Sequence, residues 1–170
     1  FQLWINLPSR EKMKPAAYRD IPSHAIPTVA LAGGGELRVI AGEFEQGGTK
    51  TAGPIGGLST APLYYDVRLP PGIEATIPTP ISHNTFLYVY EGDAVVGDDA
   101  RPLPFRSAGL LTPGGSVRVR AGERGVRLLL LAGKPIGEPV VQYGPFVMNT
   151  PEEIQQAVID YQRGQLAVAG

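Results

Sequence analysis

Two imidazoles, His24 and His83, and no cysteine leave this chain few places for metal, acid–base or nucleophilic chemistry. A transition-metal site built on a strand needs imidazoles two residues apart, because side chains return to the same face every second residue. Nitrogen and oxygen sets of that kind suit iron, manganese, nickel or copper. His83 has Ile81 and Thr85 at those two spacings, so its own strand supplies no second imidazole. Without thiols there is no disulfide, no thiolate zinc site and no cysteine nucleophile. No serine lies in a nucleophile elbow, and two histidines do not supply a triad. His83 follows a proline-rich stretch and precedes a strand. It is read either as a substrate-touching group at a barrel mouth or as a loop histidine held by water or a carbonyl, and the second reading is preferred. His24, after Pro22 and Ser23, is read as a loop histidine on the same grounds.

The charged residues point to solvated surfaces. Glu43 and Glu45 share one face of a strand, as an acid–base pair does, but so do charges at any exposed strand end. Asp98 and Asp99 sit in a Gly-Asp-Asp-Ala run and signal a turn. Gly47-Gly48-Thr49-Lys50-Thr51 departs from a phosphate loop at its second glycine, and no helix follows. Arg118, Arg120, Arg124 and Arg127 make a local basic cluster. With a net charge of −1 for the chain, it reads as a solvated face and not as a polyanion site.

The elements that must position these residues are strands. Gly (22) and Pro (17) are abundant, which favours short strands and many turns. Strands are expected at residues 1–7, 28–31, 36–44, 62–69, 73–78, 86–90, 94–96, 109–112, 116–120 and 126–132. Gly33-Gly34-Gly35, Pro70-Pro71-Gly72 and Glu91-Gly92-Asp93 are expected to be turns. Residues 45–58 read as a Gly/Thr-rich loop, and residues 9–21, charged and interrupted by Pro15, as an extended connector. The run Val126–Ala132 is apolar almost throughout and reads as a strand buried on both faces. One helix is expected. Thr150-Pro151-Glu152-Glu153 forms a capping box with proline at the first helical position. Ile154, Val158 and Tyr161 then mark its apolar face, and Gly164 its C-terminal cap. The tail 165–170 reads as frayed. The fold class is therefore all-β, a barrel or sandwich with one C-terminal helix.

At 170 residues the chain can bury the core of one domain. Its near-neutral charge gives no field for nucleic acid or anionic lipid, so direct nucleic-acid binding is not expected. No apolar run approaches the roughly 20 residues of a membrane span. The lack of cysteine fits a reducing compartment, and a cytoplasmic location is the expectation. A chain that opens on Phe1 inside an apolar run is expected to be a piece of a longer protein.

Three stretches carry a family resemblance. Gly137-Glu-Pro-Val-Val-Gln-Tyr-Gly-Pro-Phe-Val-Met-Asn-Thr150, with Glu152, Glu153, Ile154, Asp160 and Tyr161, resembles the C-terminal signature of pirins. Gln2-Leu-Trp-Ile-Asn-Leu-Pro8 resembles the segment that ends the pirin N-terminal half, and Lys12, Met13 and Tyr18 agree with the connector. The resemblance covers essentially the whole chain. It implies a cupin double-stranded β-helix, or jelly-roll barrel, as the C-terminal member of a bicupin. It further implies that one metal, usually iron, is held by three His and one Glu in an N-terminal barrel, upstream of the segment matching residues 1–7. Family members are linked to quercetin 2,3-dioxygenase activity, to transcriptional co-regulation and to binding of metabolic enzymes.

The cupin metal pattern can be laid on the chain in two pieces. Anchored on Gly92, the two imidazole positions and the carboxylate position fall on Thr79, Ile81 and Thr85. Anchored on Pro113 and Gly115, the third imidazole position falls on Arg118, a cation without a free lone pair. Every register leaves at most one ligand, so no catalytic, cofactor or metal residue is expected in this barrel, and His83 is the one candidate contact at its mouth. The expected organisation is residues 1–22 as the last strand of an N-terminal cupin plus connector, 23–149 as the C-terminal barrel, and 150–170 as helix and tail. The expected partner is that N-terminal half, met through residues 1–7, with a further protein partner as the other reading.

Overall fold

Alternation of apolar and polar residues dictates most of the strands. In the computed structural model, which describes residues 1–166, they run in chain order as β1 (Thr28–Ala30), β2 (Glu36–Ala41), β3 (Glu43–Gln46), β4 (Thr49–Ala52), β5 (Leu63–Leu69) and β6 (Glu74–Pro78). There follow β7 (Asn84–Val96), β8 (Arg101–Leu103), β9 (Ala108–Leu110), β10 (Ser116–Gly133), β11 (Val141–Tyr143) and β12 (Phe146–Met148). The helices are α1 (Ser9–Lys12) and α2 (Pro151–Gln162), with a 3₁₀ turn at Ser23–Ala25. The expected all-β class with a C-terminal helix is what the chain adopts.

Two compact units are present. One is Ile21–Pro135; the other takes Phe1–Asp20 and the chain from Ile136. The boundary thus falls at Pro135, where the sequence reading set it at 149. The signature segment forms its own hairpin, β11 against β12, and α2 packs on that hairpin.

In the unit Ile21–Pro135 an eight-stranded sheet runs β1-β2-β5-β10-β7-β8, with β6 added to β10 and β9 to β7. The second half of β10 lies between β5 and the start of β7, while its first half lies between β6 and the end of β7. Both long strands therefore belong to two layers, and the core fills the space these layers share. Leu37, Val39, Val67, Ile77, Leu87, Val89, Val119, Leu128 and Leu130 are completely buried there. At roughly 1.5–3 kcal/mol per fully buried aliphatic side chain, this cluster is the main term opposing chain entropy.

β7 and β10 are each one strand where the sequence reading divided them in two. The reason lies at Gly92. Glu91-Gly92-Asp93 carries turn chemistry, but Gly92, at φ 70°, serves a bulge where Val126 faces Gly92 and residues 122–125 have no register partner. A Cβ on Gly92 would stand 2.0 Å from the carbonyl oxygen of Gly125, so only glycine fits. The local signal for a bulge and for a turn is the same glycine; long-range pairing decides between them.

Other expectations need correction. Residues 1–7 form no strand; loose alternation is not enough, because a strand needs a hydrogen-bonded neighbour and none pairs with them among the described residues. Phe1 and Trp4 are exposed. The connector is not extended throughout, since Ser9–Lys12 makes a helical turn. The loop 45–58 contains the β3–β4 hairpin, whose polar Thr49-Lys50-Thr51 gave no apolar period. In α2 the buried pair is Ile154 and Ala157; Tyr161 is exposed and meets Phe146 edge-on at 6.0 Å. Residues 167–170 of the tail lie outside the described residues.

Candidate functional site

Thr79, at the end of β6, and Thr85, at the start of β7, are both buried in the barrel unit. Alternation along β7 turns Thr85 inward with Leu87 and Val89. Both threonines line an open cavity of about 840 Å³ whose wall also includes Val96, Leu103, Leu111 and Val117. The Thr79 hydroxyl donates to the Gly114 carbonyl at 3.3 Å. The Thr85 carbonyl accepts from the Leu111 amide at 2.9 Å, but among the described residues no hydrogen bond reaches its hydroxyl. The positions that the cupin pattern reserves for ligands thus include two threonines on the wall of a cavity lined by both polar and apolar residues.

Of the other two positions, one lies at its rim and one outside it. Ile81 is exposed in the loop before β7. Arg118 belongs to the outward set of β10, together with Ser116 and Arg120. Its guanidinium donates to the carboxylate of Asp98 at the cavity rim. A second rim pair, Arg101 with Asp99 at 3.7 Å, leaves the rim without an uncompensated charge. These side chains do not fit a divalent cation. Neutral hydroxyls, an aliphatic group and a paired guanidinium offer no anionic or imidazole donor set, and among the described residues no three His, Cys, Asp or Glu side chains converge.

His83 lines neither this cavity nor a second one near Arg124 and Arg127. Its Nε2 lies 3.0 Å from the Ala61 carbonyl oxygen and its Nδ1 3.3 Å from Ser82 Oγ. With the proton on Nε2, that nitrogen donates to the carbonyl and Nδ1 accepts from Ser82, which is the loop arrangement preferred above. His24 sits in the 3₁₀ turn Ser23–Ala25.

The remaining candidates resolve into surface pairs. Glu43 and Glu45 both face Lys50, at 2.9 and 3.9 Å. The hydrogen bond to Glu43, and then the two carboxylate charges, raise the lysine above its ordinary range. Gly47 and Gly48 form the tip of that hairpin. Arg127 lies 5.1 Å over the Tyr90 ring and faces Asp66 at 3.6 Å and Glu91 at 3.8 Å. Tyr90 donates to Asp66, and burial first, then this bond, pushes its phenol well above the ordinary range. Arg118, Arg124 and Arg127 therefore do not act as one basic patch: Arg118 pairs on the rim of the large cavity, while Arg124 and Arg127 line a second one, near Glu36 and Glu91.

One constellation had no signal in the sequence. Glu138 Oε2 accepts from the Ser9 amide at 2.7 Å and from Asn149 Nδ2 at 2.9 Å. Asn149 Nδ2 also lies 3.0 Å from the Pro139 carbonyl. The Thr150 hydroxyl accepts from the Glu153 amide, and Glu153 returns its carboxylate to the amides of Asn149 and Thr150. The capping box was legible. The tie between residues 129 apart was not, because nothing local marks Glu138 as the acceptor.

Comparison with known proteins decides what family carries this arrangement. The pirin C-terminal cupin domain matches residues 64–167. The chain belongs to the pirin family. It is 46% identical to a pirin-like protein of Caulobacter vibrioides, over 97% of this chain and 58% of that one. Its identity to human pirin is 38%, over 96% of this chain and 56% of the human protein. Among solved structures, a quercetin 2,3-dioxygenase from Acinetobacter baumannii superposes with a TM-score of 0.84 at 37% identity, covering 96% of this chain and 55% of that one. The cupin fold expected from the resemblance is therefore the fold of this pirin chain, which spans between half and two thirds of the length of these relatives. No helix among the described residues is long and apolar enough to cross a membrane.

Proposed function

We propose that this chain is the metal-free C-terminal cupin domain of a pirin whose companion N-terminal barrel carries iron-dependent quercetin 2,3-dioxygenase-type activity. The observation that carries this reading is the set of side chains at the cupin ligand positions. Thr79 and Thr85 are buried hydroxyls, Ile81 is exposed, and Arg118 is paired with Asp98. The likeness to a protein named as a quercetin 2,3-dioxygenase supports the activity of the whole, and these residues support leaving the chemistry outside this barrel. On this reading the chain alone is not catalytic. Its part is to stabilise the companion barrel, met through the exposed apolar residues of segment 1–7, Phe1 and Trp4 among them. The reading includes a cytoplasmic location, which fractionation of the source cells checks.

Metal analysis and oxygen uptake with quercetin test it. The 170-residue chain is compared with a polypeptide that adds the upstream half of a pirin relative. Turnover and bound iron in the longer polypeptide only is the expected result. Turnover by the 170-residue chain itself, or stoichiometric metal in it, overturns the assignment.

A second reading, a regulatory module that docks on another protein, is favoured by one observation. Trp4, Met13 and Tyr18, besides Phe1, are exposed apolar groups in the same unit as α2. The same experiment separates the two: no turnover by either polypeptide, with a protein recovered on immobilised chain and lost after Trp4→Ala, favours docking.

A further inference from the structure

We propose that the barrel cavity lined by Thr85 is a metal-independent binding site for a small neutral molecule with an apolar body and a single hydroxyl head, of the phenol or alcohol class. Thr85 is only 6% exposed, and no hydrogen bond reaches its hydroxyl among the described residues. A hydroxyl that the fold leaves unused at the wall of an open cavity is available to a molecule that enters it. The chamber measures about 840 Å³, inside the range of roughly 300–1,000 Å³ typical of ligand sites. Leu103, Leu111, Val96 and Val117 give its wall an aliphatic part, Thr79, Thr112 and Ser116 a polar one, and Leu110 on the same wall is 82% exposed.

Charge decides the class of ligand. The two cationic groups at the rim, Arg118 and Arg101, each have a carboxylate neighbour, Asp98 and Asp99. A carboxylate or phosphate ligand would have to break one of these pairs, and an ammonium would meet no free anion inside. A neutral molecule gives up little solvation on entry, covers the aliphatic wall and meets the Thr85 hydroxyl with a hydrogen bond that can run in either direction. This inference does not rest on the dioxygenase assignment, since neither metal nor oxygen takes part.

The test uses the 170-residue chain with 4-ethylphenol as probe, ethylbenzene as the headless control and 4-ethylbenzoate as the anionic one. Amide shifts in a nitrogen–proton correlation spectrum report both affinity and place. The expected result is saturable binding of 4-ethylphenol with the largest shifts at Thr85, Leu103 and Leu111. Ethylbenzene should bind about 5- to 10-fold more weakly, the factor for one lost hydrogen bond. Thr85→Val should weaken 4-ethylphenol by the same factor, and Thr85→Ser should stay within about twofold of the parent. If Thr85→Val fails to fold, the Thr85→Ser and ethylbenzene comparisons still decide. The proposal falls if binding does not saturate at these amides, if ethylbenzene binds as tightly as the phenol, or if 4-ethylbenzoate binds more tightly than both.

Discussion

At the C-terminal hairpin four polar side chains are spent on the fold, with Asn149 Oδ1 the one buried atom of them left unbonded, whereas in the barrel cavity the Thr85 hydroxyl has no protein partner among the described residues. Glu138, Asn149, Thr150 and Glu153 exchange hydrogen bonds among themselves and with the Ser9 amide. Among the described residues Thr85 exchanges none through its side chain. The difference teaches how to read polar residues in a chain of this family. Where the signature is most specific it encodes a structural clamp. At the positions that the cupin pattern reserves for ligands, the barrel carries Thr79, Ile81, Thr85 and Arg118.

Substitutions can break or sharpen that contrast, and the frame should yield the largest effect. Gly92→Ala forces a Cβ to within 2.0 Å of the Gly125 carbonyl at a positive φ, so a loss of about 3 kcal/mol is expected in urea denaturation. Glu138→Ala removes a charged acceptor from two donors and should cost about 2 kcal/mol; a neutral result would show that the clamp is idle. Thr150→Ala removes the helix cap and should cost about 1 kcal/mol, read from the same denaturation midpoint.

Alkali offers an independent check in the barrel. The Tyr90 phenol is held above its ordinary value near 10 by burial and by its bond to Asp66. The folded state therefore keeps a proton that the unfolded chain releases, so this contribution is intact below pH about 10 and is lost as pH rises toward the folded value. The urea midpoint should fall as pH rises above about 10, and Tyr90→Phe should lessen that fall, while Tyr65, also held up by burial, keeps part of it. Smallest of all should be Thr85→Val, within about 0.5 kcal/mol, because no protein hydrogen bond is lost. A cost equal to that of Thr150→Ala would erase the distinction between the two regions.

Much of this was legible in the residues, for local reasons. The capping box needs only Thr150 and Glu153 three apart, and the run Val126–Ala132 announces a central strand by lacking polar alternation. The residues Thr79, Ile81, Thr85 and Arg118 at the cupin ligand positions are read from the sequence alone. What stayed hidden depends on partners distant in sequence. Gly92 looks the same in a turn and in a bulge. Residues 1–7 look like a strand until a neighbour is sought. β4, Thr49–Ala52, has no buried residue to match the buried Phe44 of β3, and the pairing of Arg118 with Asp98 joins residues 20 apart with nothing between them to announce it.

β10 runs for 18 residues through both layers of the barrel. A single backbone that serves as common wall to both layers leaves neither able to melt by itself. Hydrogen exchange should accordingly find one slow class of amides spanning Val117, Val119, Leu128 and Leu130, opening together or not at all, with the Gly47–Gly48 tip exchanging long before them.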